Sequence, residues 1–155
     1  MRQLKFLVPL GSIALLGAVV AIAVADSGTP TAGAARAAMV QVRSGSLGRY
    51  LVDGRGRALY LFEKDRRGRS SCYGSCASVW PPLVAGGRVS RGAGVSAGKL
   101  GTVARRGGGR EVTYAGHPLY LYAGDSHAGQ FAGEGLNQFG AKWDIVSPSG
   151  RGIDR

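Results

Sequence analysis

Sulfur, imidazole and negative charge are all scarce in this 155-residue chain, which holds two Cys, two Met, two His and nine Asp or Glu. Two cysteines exclude a disulfide-dense miniprotein, six prolines exclude a collagen-like chain, and the composition is not that of a coiled coil. A helical bundle is disfavoured as well, because 27 Gly are present and each costs about 1 kcal/mol in a helix interior relative to Ala. Catalytic signatures are missing too. No Ser lies in Gly-x-Ser-x-Gly, and Gly107-Gly108-Gly109 lacks the Lys-Ser/Thr and the helix that complete a phosphate loop. The Cys-x-x-Cys-His that attaches haem is absent, and one Cys pair with two scattered His makes only a weak case for the four ligands that zinc needs.

Positive charge is abundant by contrast: 20 Lys and Arg give a net charge of +11. Arg2 and Lys5 precede an uncharged stretch from Phe6 to Ala25 that ends in Ala23-Val24-Ala25, the small-x-small pattern of a signal-peptidase site. Residues 1–25 are therefore expected to be a signal peptide. At about 1.5 Å rise per residue the stretch is also long enough to cross a hydrocarbon layer of roughly 30 Å, so an uncleaved N-terminal anchor is the alternative. Either outcome leaves the remainder outside the cytoplasmic membrane, touching it only through that segment, because the positive flank stays inside. No Cys follows the apolar run, so the residue needed for N-terminal lipidation is missing. Residues 26–38 are Ala, Gly, Ser, Thr and Pro with one Asp and one Arg, a flexible linker. Residues 39–155 are then the folded domain.

That domain repeats itself. Leu59-Tyr60-Leu61-Phe62 followed by Asp65 returns sixty positions later as Leu119-Tyr120-Leu121-Tyr122 followed by Asp125. Upstream, Tyr50-Leu51-Val52 and the turn from Asp53 answer Val112-Thr113-Tyr114 and the turn from Ala115; downstream, Trp80 answers Trp143. Repeat 1 spans about 47–84 and repeat 2 about 110–150. In each, Leu59 and Leu61 (or their partners) point one way along a strand, and Tyr60 and Phe62 the other. Both faces are apolar, so the strand belongs inside a fold. Further strands are expected at Val40 to Val42, Tyr50 to Val52, Leu100 to Ala104, Glu111 to Tyr114 and Trp143 to Val146. The expected fold is all-β and mostly antiparallel, a small sandwich or barrel built from two similar halves. One short helical turn is expected around Ser71 to Val79, about the Cys pair.

Tyr60 to Asp65 and Tyr120 to Asp125 both fit Tyr-x-[Phe/Trp/Tyr]-x-x-Asp, and the segment from Ser71 to Leu83 carries Cys72, Cys76 and Trp80. On these motifs the chain resembles a family of bacterial secreted repeat proteins and lipoproteins of unknown function, over roughly residues 47–150. The resemblance implies an envelope location and supplies no activity.

The Asp of each motif ends its strand, where a carboxylate accepts backbone N–H bonds and fixes a loop. The other reading pairs Asp65 and Asp125 around a cation or along a ligand cleft. Cys72 and Cys76 are expected to form a disulfide, as exported thiol pairs do, and to need no cofactor. The alternative is copper: a Cys-x-x-x-Cys pair with a distant His, here His117 or His127, resembles the site of cytochrome-oxidase copper chaperones. Both His otherwise read as surface residues of turns. The basic runs Arg66-Arg67 with Arg69, and Arg105-Arg106, are broken by Gly rather than interleaved with aromatics. They look like solvated loop charges and argue against specific nucleic-acid binding. The functional expectation is a monomeric, non-enzymatic envelope module that binds an envelope component or serves structurally. A thiol-dependent copper or electron-transfer protein is the second reading and a binder of anionic wall polymers the third.

Overall fold

The computed structural model describes residues 37–154. The expected leader, and all of the linker except Ala37 and Ala38, lie outside them. Among the described residues no helix is long and apolar enough to cross a membrane.

Strands β1 (Met39–Gly45) and β2 (Gly48–Asp53) form an antiparallel hairpin closed by a two-residue turn, with Gly48 at φ 83° where a side chain would be strained. Strand β3 (Tyr60–Phe62) follows, then helix α1 (Ser75–Val79), β4 (Ser90–Arg91) and a 3-10 turn (Ala97–Lys99). The second half contributes β5 (Leu100–Ala104), β6 (Arg110–Tyr114), β7 (His117–Pro118), β8 (Asn137–Gln138) and β9 (Ala141–Ile145). Three small sheets result, ordered β2-β1-β4, β3-β9-β8 and β5-β6-β7. All pairings are antiparallel except β1 with β4. The all-β, duplicated architecture is as the sequence indicates.

The alternation of the repeat strands divides the interior into two cores. Leu59, Leu61, Leu119 and Leu121 enter an aliphatic core with Val40, Leu51 and Val146. Tyr60, Phe62 and Tyr120 enter an aromatic core with Trp80 and Trp143.

The repeats are interwoven rather than side by side. The tail of repeat 2 closes repeat 1: β9 pairs β3 through Tyr60↔Ile145 and Phe62↔Trp143, and the Val146 N–H donates to Leu59 O at 3.0 Å. The tail of repeat 1 closes repeat 2 in the same way, with the Leu83 N–H donating to Leu119 O and the Leu121 N–H to Pro81 O, both at 2.8 Å. At the centre Tyr60 and Tyr120 exchange two backbone hydrogen bonds at 2.9 Å. This pair marks a pseudo-two-fold axis.

Two local details sharpen the sequence reading. The second repeat strand around Tyr120 is reduced to isolated bridges, because its neighbour is Pro81-Pro82, which offers no N–H to a ladder. The helix begins at Ser75 rather than near Ser71, since Gly74 at φ 57° interrupts helical geometry just before it. Cys72 therefore lies outside α1, and the Cys72–Cys76 disulfide joins the loop to the helix across a Cα–Cα distance of 5.2 Å.

Candidate functional site

The motif residues meet at the pseudo-axis, and they do so crosswise. The Tyr60 hydroxyl donates to Asp125 Oδ2 at 2.5 Å, and the Tyr120 hydroxyl to Asp65 Oδ2 at 2.6 Å, so each repeat's Tyr is held by the other repeat's Asp. The second oxygen of each carboxylate fixes its own loop. Asp65 Oδ1 accepts from the N–H and hydroxyl of Ser71, and Asp125 Oδ1 from the N–H of Ala132. Burial and the adjacent carboxylates push both phenols far above their ordinary range. They stay protonated and act as donors. Burial raises the Asp65 carboxyl, while its bonds from Ser71 and Tyr120 pull the other way.

Four rings stack beside these pairs. Phe62 lies 4.0 Å from Trp143, Trp143 4.0 Å from Trp80, and Trp80 4.5 Å from Tyr122. Members of the two repeats thus alternate along one column. Tyr60 packs edge-on against Trp80 at 5.2 Å and Tyr120 against Trp143 at 5.1 Å. Both indole N–H groups end on one residue: Trp80 Nε1 donates to Gln138 Oε1 at 2.9 Å and Trp143 Nε1 to Gln138 O at 3.1 Å. The long loop before β8 crosses the column at Gly133, where a methyl group would lie 2.7 Å from Trp80 and 3.0 Å from Tyr60 and Tyr122. Glycine is required there by close approach.

A second polar group is buried beside Tyr120. Arg105 and the fully buried Glu111 form an ion pair at 2.5 Å. Arg105 also donates to Ser70 Oγ at 2.9 Å and to Cys72 O at 2.6 Å. Tyr120 gives its single hydroxyl proton to Asp65, so at 2.6 Å the Ser70 hydroxyl must donate to Tyr120. A directed chain runs from Arg105 through Ser70 and Tyr120 to Asp65. Burial outweighs the Arg105 partner at Glu111 and pushes its carboxyl up to about 7. The expectation that Arg105 is a solvated loop charge is thereby overturned. Hydrogen-bond acceptors and a carboxylate draw it inward, and Arg105 and Arg106 both lie within 4.4 Å of the Tyr73 ring centroid. The basic run does meet an aromatic, one supplied from the Cys loop.

A family model described as a secreted repeat of unknown function matches residues 41–84 and again 101–147. The chain belongs to this family of secreted repeats. No curated protein and no solved structure matches it. The two family segments open in β1 and β5, ahead of residues 47 and 110, so each secreted repeat includes the strand preceding its Tyr50 or Glu111. The motif of this secreted repeat is turned inward: Tyr60, Tyr120, Trp80 and Trp143 are each fully buried, and Asp125 is buried with them.

Cys72 and Cys76 are disulfide-bonded, as the sequence indicates. Thiolate ligation of copper would require their reduction first. His127 is exposed, with its N–H on Gln130 Oε1 at 2.9 Å. His117 is half-buried on β7, and its imidazole pKa is lowered by burial and by Arg67. It lines a groove of about 690 Å³ together with Asp65, Asp144, Arg151 and Asp154. Among the described residues no group of three or more His, Cys, Asp or Glu is arranged to hold a metal. The disulfide closes a short loop, for which chain entropy gives about 2 kcal/mol. Replacing both cysteines with Ser should lower the unfolding free energy in urea by that amount, with the β-sheet circular dichroism unchanged. A loss of the fold would contradict this local role.

Glu111, Ser70 and Gln138 were not legible as site residues. Glu111 alone left a trace, as an acid opening the strand candidate Glu111 to Tyr114 directly after Arg110 and five residues after Arg106.

Proposed function

We propose that the chain is an exported, non-enzymatic binding module of the cell envelope, and that it engages anionic wall polymers through an arginine-rich surface. The observation that carries this reading is the segregation of charge. Of the eight carboxylates in the described residues, only Glu63 and Asp154 are exposed. The others are engaged inside: Asp53 by Arg57, Glu111 by Arg105, Asp144 by Lys142, Asp65 and Asp125 by the tyrosines, and Glu134 by the N–H of Ile145. Twelve Lys and Arg side chains, among them Arg43, Arg49, Arg66, Arg67, Arg69 and Arg106, face solvent. The surface is more cationic than the net charge alone conveys, and such a field attracts polyanions at long range. Arginine adds bidentate geometry toward phosphate and carboxylate oxygens.

The motif residues support a scaffold role in this reading, since their polar atoms serve contacts between repeats. Binding to an acidic polymer such as poly(glycerol phosphate) should weaken steeply as salt rises, by release of counterions. Changing Arg66, Arg67 and Arg69 together to Ala should reduce both the affinity and the slope of its logarithm against log salt. Affinity independent of salt, measured by titration calorimetry at several ionic strengths, would sink the proposal.

A further inference from the structure

The aromatic core has a feature that packing alone does not call for. Among the described residues, Tyr60 and Tyr120 are the two tyrosines whose hydroxyls donate to a carboxylate, and both touch the tryptophan stack. Tyr114, by contrast, donates to the carbonyl of Pro148 at 3.1 Å. A carboxylate is a base that can take a phenolic proton, whereas a peptide carbonyl is not. The two indole N–H groups likewise rest on amide oxygens, so an oxidised indole has no base at hand and keeps its proton. Water is excluded around Tyr60, Tyr120, Trp80 and Trp143, which are fully buried. Tyr122 is the half-buried end of the column.

From this geometry we infer that the core is a one-electron relay, in which an oxidant at the Tyr122 end of the column draws an electron from Trp80 across that ring contact, and the oxidising equivalent, shared by Trp80 and Trp143 as an indole cation radical, comes to rest on Tyr60 or Tyr120. Each move between rings crosses a direct contact. Tyr122 lies on Trp80 at 4.5 Å, the indoles stack at 4.0 Å, and each buried Tyr meets one indole edge at 5.1 or 5.2 Å.

The last step balances within the protein. The phenol gives one electron to the indole cation radical, which returns to its closed-shell form. The phenolic O–H bond breaks, and the proton moves to Oδ2 of Asp125 (from Tyr60) or of Asp65 (from Tyr120), forming a carboxyl O–H. The neutral phenoxyl radical left behind holds the oxidising equivalent. The electron lost overall goes to an external one-electron oxidant, a metal-centred or peroxide-derived species of high potential. A diffusible reductant of the ascorbate class reverses the step by returning the electron to the phenoxyl oxygen, after which the carboxyl proton goes back. The activity is independent of polymer binding and uses no residue of the arginine surface.

The test is flash photo-oxidation of the intact chain by tris(bipyridine)ruthenium(III), in a Tyr73→Phe background that removes a half-exposed phenol. Transient absorbance and freeze-quenched electron paramagnetic resonance report the radicals. The expected result is an indole cation radical that decays into a neutral phenoxyl radical, with slower decay in D₂O. Changing Tyr60 and Tyr120 together to Phe keeps the ring packing and should leave the indole radical long-lived. Changing Asp65 and Asp125 to Asn should slow its decay and remove the isotope effect, a readout that a merely structural role would not move. Thermal melts confirm which variants are folded; if a double variant is not, Tyr60→Phe and Tyr120→Phe separately must each lower the phenoxyl yield. An unchanged phenoxyl yield in the folded phenylalanine variants, or no indole radical in the parent protein, overturns the relay.

Discussion

Two pieces of the chain, residues 37–87 and 88–154, are each expected to be unfolded alone and to recover the native β-sheet spectrum when mixed. The break between Gly87 and Arg88 falls in an exposed turn, so the cut itself removes little. What separates is the weave. The first piece keeps β3 and loses β9; the second keeps the Tyr120 segment and loses Pro81 to Leu83. The ring column suffers most, because Phe62 and Trp80 leave with one piece and Trp143 and Tyr122 with the other. Neither piece retains a stacked pair from that column, and both Tyr–Asp bonds are broken. Pieces of this size are near the lower limit for an independent core even when intact. Cooperative urea unfolding of either piece by itself would show that the repeats are autonomous and that the crossing is incidental.

Arg105→Ala is expected to be the most destabilising single substitution at the surface-proximal loops, at about 3–5 kcal/mol, since it strips the buried Glu111 of its partner, so that the carboxyl must take up a proton to remain inside, and it removes the donor to Ser70 Oγ and Cys72 O. Against a typical domain stability of roughly 5–15 kcal/mol that brings the fold near its limit. Replacing the pair by Arg105→Met with Glu111→Leu should restore much of the loss, because the buried charge then disappears.

The same carboxylate gives stability a dependence on pH. Glu111 has its folded pKa raised to about 7 from the ordinary 4.5, so its contribution is full below about pH 4.5 and is lost as pH rises through 7. His117, whose pKa is lowered by folding, acts with the opposite sign over part of that window. The comparison of parent with Glu111→Gln in urea at pH 5 and pH 8 isolates the acid. The parent should lose more stability than the variant on going to pH 8, and equal losses would contradict the assignment.

The alternation Leu59-Tyr60-Leu61-Phe62 carries enough information to assign an internal strand with an aliphatic and an aromatic face, and both cores follow from it. A period of two says which way side chains point, though not which strand lies alongside. The crossing therefore stayed hidden: Asp65 is five residues from Tyr60, yet its phenol is Tyr120, and nothing local distinguishes the two. Gly74 was visible in the sequence, but its left-handed conformation, which shortens α1, was not. Arg105 and Arg106 are neighbours of identical chemistry. Only the position of Glu111 across the β5–β6 hairpin decides that the first turns inward.

The interweaving of the repeats also bears on what happens when such a protein leaves the cell. Two separate chains that completed each other's sheets would dissociate on dilution, and their yield would fall with the amount secreted. Joined in one chain, each repeat meets its complement at an effective concentration fixed by the connecting segment. Assembly becomes a first-order event, indifferent to how thinly the protein is spread in its surroundings.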